Sequence, residues 1–173
     1  MPATNDVYLG NPNLKKAGTE IQFTKKQVQE WIKCKEDPLY FALNYIQIIS
    51  LDEGLVPFTM YGFQKEIMMD FHENRFNIAK LPRQTGKSTT VVAYLLHYAI
   101  FNDSVNIGIL ANKASTAREL LGRLQLAYEN LPKWMQHGIL VWNKGNVELE
   151  NGSKILAAST SASAVRGMSF NIL

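Results

Sequence analysis

A single cysteine, Cys34, stands among 173 residues, so no disulfide can close within the chain and a reducing interior suits it. No uninterrupted apolar run approaches the ~20 residues that a bilayer-spanning helix needs. The opening Met1-Pro2-Ala3-Thr4-Asn5-Asp6 lacks the basic-then-apolar order of a secretory leader. Charge is sparse, and 18 basic against 15 acidic side chains leave only +3. That balance permits a polyanionic partner without requiring one. Internal repeats and low-complexity tracts are missing, and the composition excludes a disordered tail, a collagen-like repeat and a coiled coil. What the chain does have is apolar mass, 46% of its residues, enough for one globular core.

Residues 1–23 hold turn formers (Gly10, Asn11-Pro12-Asn13, Gly18) without periodicity and read as a flexible N-terminal arm. Thr24 and Gln27 have capping-box spacing ahead of Val28, Trp31 and Ile32 on one helical face. Asp37-Pro38 starts a second helix, expected over about 38–49 and apolar nearly all round. Asp52-Glu53-Gly54 is a turn, and Pro57 keeps the next stretch extended. A helix over about 61–73 turns Ile67, Met68 and Phe71 inward.

Residues 76–81 read as a short buried strand, and 82–88 as a polar turn opening an apolar helix, 89–101. Another buried strand follows at 105–111. Thr116 and Glu119 have capping-box spacing for a helix burying Ala117, Leu120, Leu121, Leu124 and Tyr128, with Glu119 and Arg123 paired outside. Leu131-Pro132 ends it. The remainder is β, with a hairpin at Asn151-Gly152 and a strand opening at 170–173. The order predicts an α/β fold with a mainly parallel sheet: a helical region at 24–75 and a core at 76–173.

Gly86-Lys87-Ser88, at the junction of strand, turn and helix, is the feature with chemistry in it. A polyphosphate needs fixed donors to replace its hydration. Inward backbone N–H groups and the positive end of a helix supply them. Gly86 lets the backbone approach the phosphates, Lys87 reaches the β- and γ-phosphates of ATP, and the Ser88 hydroxyl ligates Mg²⁺. The strict pattern G-x-x-x-x-G-K-[ST] fails, because Leu81 stands at the first glycine. A solvated turn with an ordinary helix cap is the competing reading.

The stretch Leu81-Pro82-Arg83-Gln84-Thr85-Gly86-Lys87-Ser88-Thr89 resembles the variant Walker A of tailed-phage large terminases, in which an Arg-Gln pair precedes Gly-Lys and the leading glycine is commonly lost. Three further stretches resemble the large terminases of T-even-type phages: Asp37-Pro38 with its aromatic helix, Val141-Trp142-Asn143-Lys144-Gly145, and Ala164-Val165-Arg166-Gly167-Met168-Ser169-Phe170. The likeness runs over roughly 24–173.

It implies a P-loop NTPase of the additional-strand, catalytic-glutamate type: the ATPase part of a ring-forming motor that moves double-stranded DNA into a procapsid. A portal protein and a small terminase subunit would be its partners, and host cytoplasm its compartment, with no membrane. The likeness also assigns residues. Gln84, Thr85, Gly86, Lys87, Ser88 and Thr89 form the nucleotide loop, with Mg²⁺ on Ser88. Arg83 senses or stabilises the γ-phosphate. Gln64, 22 positions ahead of Gly86, reads adenine, and Phe63 stands where an aromatic is expected. Arg166 resembles a finger inserted into a neighbouring subunit's site, so Arg83 and Arg166 compete for that role.

Hydrolysis also needs acids for Mg²⁺ and for the attacking water, and no Asp or Glu follows Glu150. In terminases these acids come just after the 170–173 strand, so the chain reads as a portion that binds ATP without turning it over. A C-terminal nuclease domain belongs to the whole terminase. Without the Walker B strand beside it, 76–81 is expected to leave an apolar edge unpaired.

Glu148 and Glu150 are read as remote from the phosphates, His97 as packed, and His72, His97 and His137 as no metal site. Lys25-Lys26 and Lys33-Lys35 read as solvated faces, and Trp31, Trp134 and Trp142 as packing anchors. A helicase with an upstream glutamine motif, a P-loop small-molecule kinase and a non-catalytic assembly module remain as alternatives.

Overall fold

The computed structural model describes residues 6–50, 52–160 and 167–173. Two short strands, β1 (Val7–Tyr8) and β2 (Asn11–Lys15), pair where a flexible arm was expected. Leu14 supplies the apolar anchor that periodicity could not reveal, buried to 1% exposure. Polar bonds finish the docking. Gln136 accepts from the Lys15 N–H at 3.2 Å and donates to Asn13 O at 3.1 Å, while Glu150 accepts from Gly18 N–H at 2.7 Å.

Helix α1 (Lys25–Glu36) opens on the expected box: Thr24 Oγ1 accepts from Gln27 N–H at 3.3 Å and Gln27 Oε1 from Thr24 N–H at 2.9 Å. Helix α2 (Pro38–Tyr45) is capped by Asp37, which accepts from Leu39 and Tyr40 N–H groups. It ends four residues early. Ile48 and Ile49 belong to strand β3 (Gln47–Ser50), paired antiparallel with β4 (Gly54–Pro57), because β-branched residues lose less in a hairpin than in a helix. Helix α3 (Gly62–Glu73) buries Met68.

Residues 76–81 form no strand, contrary to expectation, and pair with none among the described residues. A strand needs a partner to bond its backbone, and this stretch lacks one. Phe76 is 85% and Ile78 100% exposed, and a cleft of about 210 Å³ separates the segment from Ile67 and Phe71 of α3.

Helix α4 (Lys87–Phe101), buried along most of its length, leads to β5 (Asn106–Ala111) and α5 (Ala114–Glu129). The Thr116 box does not form. Helix α5 begins three residues earlier, with Lys113 at its cap and no side-chain cap bond. A 3₁₀ turn, Lys133–Met135, then precedes β6 (Ile139–Trp142), β7 (Asn146–Leu149) and β8 (Lys154–Ser159).

The four-stranded sheet has the order β5-β8-β7-β6 and is mixed rather than mainly parallel. Only β5 and β8 pair parallel within this sheet, and α5 carries the chain from β5 across to β6 at the far edge. The tight turns linking β6, β7 and β8 force antiparallel pairing. On the free side of β5, Ile172 forms a parallel bridge with Ile107, and Gly108 N–H donates to Ile172 O at 2.8 Å. No helix of the described residues is long and apolar enough to cross a membrane.

Gly138 seats the arm. A Cβ there would lie 2.4 Å from Ala17 Cα and 2.4 Å from a Glu150 carboxylate oxygen, and the backbone contact cannot swing away. Gly138→Ala is therefore expected to cost about 1–3 kcal/mol. Urea unfolding checks the loss, and trypsin should cut faster at Lys15 and Lys16. An unchanged midpoint and cleavage rate would mean that the arm contributes nothing.

Candidate functional site

The loop before α4 begins at Pro82 and winds through two left-handed residues, Gln84 (φ 62°) and Gly86 (φ 73°). A left-handed glutamine costs about 1–2 kcal/mol, so the loop's shape is held by bonds around it. Pro82 O accepts from Thr85 Oγ1 and from Lys87 Nζ, both at 3.1 Å. Below the loop, Thr90 Oγ1 donates to Gly86 O at 3.3 Å.

The first turn of α4 carries unmet donors. Gly86 is its N-cap and offers no side chain, and the backbone N–H groups of residues 85–89 take no acceptor among the described residues. Ser88 lies inside the helix, one residue past its start, and is not the cap. Its hydroxyl, half-buried, has no protein partner among the described residues. Five N–H groups without acceptors, the positive end of a 15-residue helix, an ammonium bonded to Pro82 O and a hydroxyl without a partner among the described residues thus lie together within residues 82–89. Such an array suits a polyphosphate and its Mg²⁺, since it offers donors and a hydroxyl oxygen with no carboxylate bonded to the loop.

Gln64 reaches this loop from α3. It is 3% exposed, its Oε1 accepts from Tyr61 N–H at 2.8 Å, and its Nε2 donates to Thr85 O at 3.2 Å. Thus the structure joins Gln64, Thr85 and Gly86, which sequence spacing alone left 21 or more positions apart. Tyr61 is the residue that sequence reasoning passed over. Its ring stacks on Phe63, 5.9 Å between centroids and 9° from parallel, and both rings are exposed beside Gln64. Two aromatics two apart at a helix start were the available signal.

Arg83 lies exposed on the turn, with no ion pair or hydrogen bond among the described residues. Gln84 is exposed and Thr89 half-buried in the first turn of α4. Arg166 lies outside the described residues.

Other polar groups stay clear of the loop. Glu148 pairs with Lys154 at 3.5 Å, and Glu150 holds Gly18 and Gly138. His97 packs inside, with Nε2 2.8 Å from Cys34 O, and burial lowers its pKa to about 4. No cluster of three or more metal-ligating His, Cys, Asp or Glu occurs among the described residues. Trp31 packs on Phe101, Trp134 on Tyr45 and Trp142 on Tyr128, as anchors.

The family described as Terminase large subunit, T4likevirus-type, N-terminal, covers residues 78–173, more than half of the chain and all of the loop.

Proposed function

Because the chain belongs to the family of T4-type terminase large-subunit N-terminal domains, we propose that it is the ATP-binding portion of a motor that drives double-stranded DNA into a procapsid. Large terminases are in general ATPases, and membership sets aside the helicase and kinase alternatives. One observation carries the nucleotide reading: the row of N–H groups without acceptors among the described residues at the start of α4, with Lys87 Nζ bonded to Pro82 O of the same loop.

In this reading the fold is that of a P-loop NTPase. Residues 84–89 cradle the phosphates, and Lys87 leaves Pro82 O for the β- and γ-phosphate oxygens. Ser88 supplies the ligand for Mg²⁺, which when bound neutralises charge between those phosphates. Arg83 approaches the γ-phosphate in cis, and Arg166 serves a neighbouring subunit of a homo-oligomeric ring. Phe63 and Tyr61 flank the adenine. A portal protein, a small terminase subunit and host cytoplasm complete the setting, with an endonuclease activity in the whole terminase.

Calorimetric titration of the chain with ATP–Mg²⁺ tests the loop. Saturable binding is expected, weakened at least about tenfold in Lys87→Ala, since a charge-assisted bond is worth ~1.5–3 kcal/mol. Binding is the readout, because the reading assigns turnover to acids that this chain does not bring to the loop. No binding by the wild type, or equal binding by the variant, favours a non-catalytic assembly module instead.

A further inference from the structure

We propose that Gln64 is a positioning residue for the phosphate loop: its amide ties the start of α3 to the Thr85 carbonyl and thereby aims the Gly86 N–H into the phosphate mouth. This rests on the reading that the loop binds polyphosphate.

The geometry is that of a tie. Gln64 is almost fully buried, and both ends of its amide are engaged within the chain, one on Tyr61 N–H and one on Thr85 O. Contact with the loop is close enough that a Cβ on Gly86 would sit 2.4 Å from Gln64 Nε2. Gly86 therefore meets two demands, a left-handed φ and an approach that no side chain allows.

The consequence follows from the planar trans peptide. Thr85 C=O and Gly86 N–H belong to one unit and point in opposite directions. Holding the carbonyl toward Gln64 turns the N–H away from it. That N–H takes no acceptor among the described residues, so it stays available to an anion. Beside a glycine the peptide could otherwise rotate and present its carbonyl oxygen to the phosphates, replacing attraction with repulsion. Only a side chain that accepts and donates at once satisfies Tyr61 N–H and Thr85 O together, which Glu or Met cannot do. One amide proton and one oxygen lone pair remain, so reading an adenine edge and holding the loop are compatible.

A ligand without a base separates the two roles. Magnesium tripolyphosphate and ATP–Mg²⁺ are titrated against the wild type and Gln64→Met, a neutral variant of similar length. If Gln64 positions the loop, tripolyphosphate weakens roughly five- to tenfold for one lost hydrogen bond, and ATP weakens at least as much. If it only reads the base, ATP weakens and tripolyphosphate does not, and the proposal is overturned while the loop reading survives. A wild type that binds neither ligand takes down the loop reading and this inference with it.

Thermal unfolding of Gln64→Met separates a loosened loop from a lost fold. Should the variant not fold, ¹⁵N-edited NMR of the wild type decides. The Gln64 side-chain amide is expected to resist solvent exchange with and without tripolyphosphate, while the Gly86 N–H shifts on binding. Fast exchange of that side-chain amide in either state overturns the tie.

Discussion

Phe41→Ala is expected to destabilise the fold by about 3–5 kcal/mol, the largest loss of any single truncation considered. Phe41 has no exposed surface and lies where α1, α2 and α4 meet. Its ring meets Phe101 edge-on at 5.4 Å, tilts against His97 at 5.6 Å and stacks with Tyr45 at 6.4 Å. Removing it opens a cavity walled by other rings, which cannot rotate inward without losing their own edge-to-face contacts. Leu43→Ala on the same helix, at a side chain 39% exposed, should cost about 1 kcal/mol or less and controls for helix propensity. Urea unfolding of the two variants measures the difference. A Phe41 loss no larger than that of Leu43 would mean that the aromatic cluster is not the keystone of the helical layer.

The same cluster bears on the site. Helix α4 begins at the 82–86 loop, while its far half is held by Phe41, Trp31 and the Cys34 carbonyl. A helix can present fixed donors only if its axis is fixed. The buried rings thus act on the donors at residues 85–89 through the rigidity of α4, some three turns away.

What could be read from the sequence was mostly local. The Thr24–Gln27 box, the Asp37-Pro38 start and the Asn151-Gly152 turn are each set by a few adjacent residues, and each forms. Gly86-Lys87-Ser88 was legible for the same reason, because the donors of a helix start are determined where the helix starts.

Longer-range features were not legible. Ile46 to Ile49 continue an apolar run, and only pairing with 54–57 turns it into a strand. Residues 76–81 have strand composition, yet composition supplies no partner. The mixed sheet follows from two successive tight connections, whose pairing outweighs the parallel order inferred from alternating elements. Gln64 could be nominated only through the resemblance to terminases, since by position alone it reads as a solvated helix residue. That its amide holds Thr85 O is a contact across 21 positions, which no local pattern encodes.

Acid should unfold this protein through His97. Its ring is buried against Phe41, Tyr94 and Phe101, with His72 6.3 Å away, and burial first, then His72, hold its pKa near 4. The Cys34 and Lys35 carbonyls and Asp37 pull the other way and do not compensate. Nδ1 has no hydrogen-bond partner among the described residues, so a proton arriving there would meet no acceptor among them.

In the unfolded chain the same imidazole titrates near 6.5. Between these two values the unfolded state binds more protons than the folded one. Stability is therefore complete above about pH 6.5 and falls as the pH drops toward about 4, by roughly 3 kcal/mol in all. His137, also lowered by burial, adds in the same direction. Glu30, held below its usual range first by the Tyr40 hydroxyl and then by Lys33, acts only below about pH 4.5. It leaves the upper window to the histidines.

In His97→Gln the side-chain amide still donates to Cys34 O but does not titrate. Urea unfolding at successive pH values should give a curve for this variant that is much flatter across that window than the wild type's. Parallel curves would show that the buried imidazole is not what acid attacks, and that the loss arises from His137 or from carboxylates elsewhere.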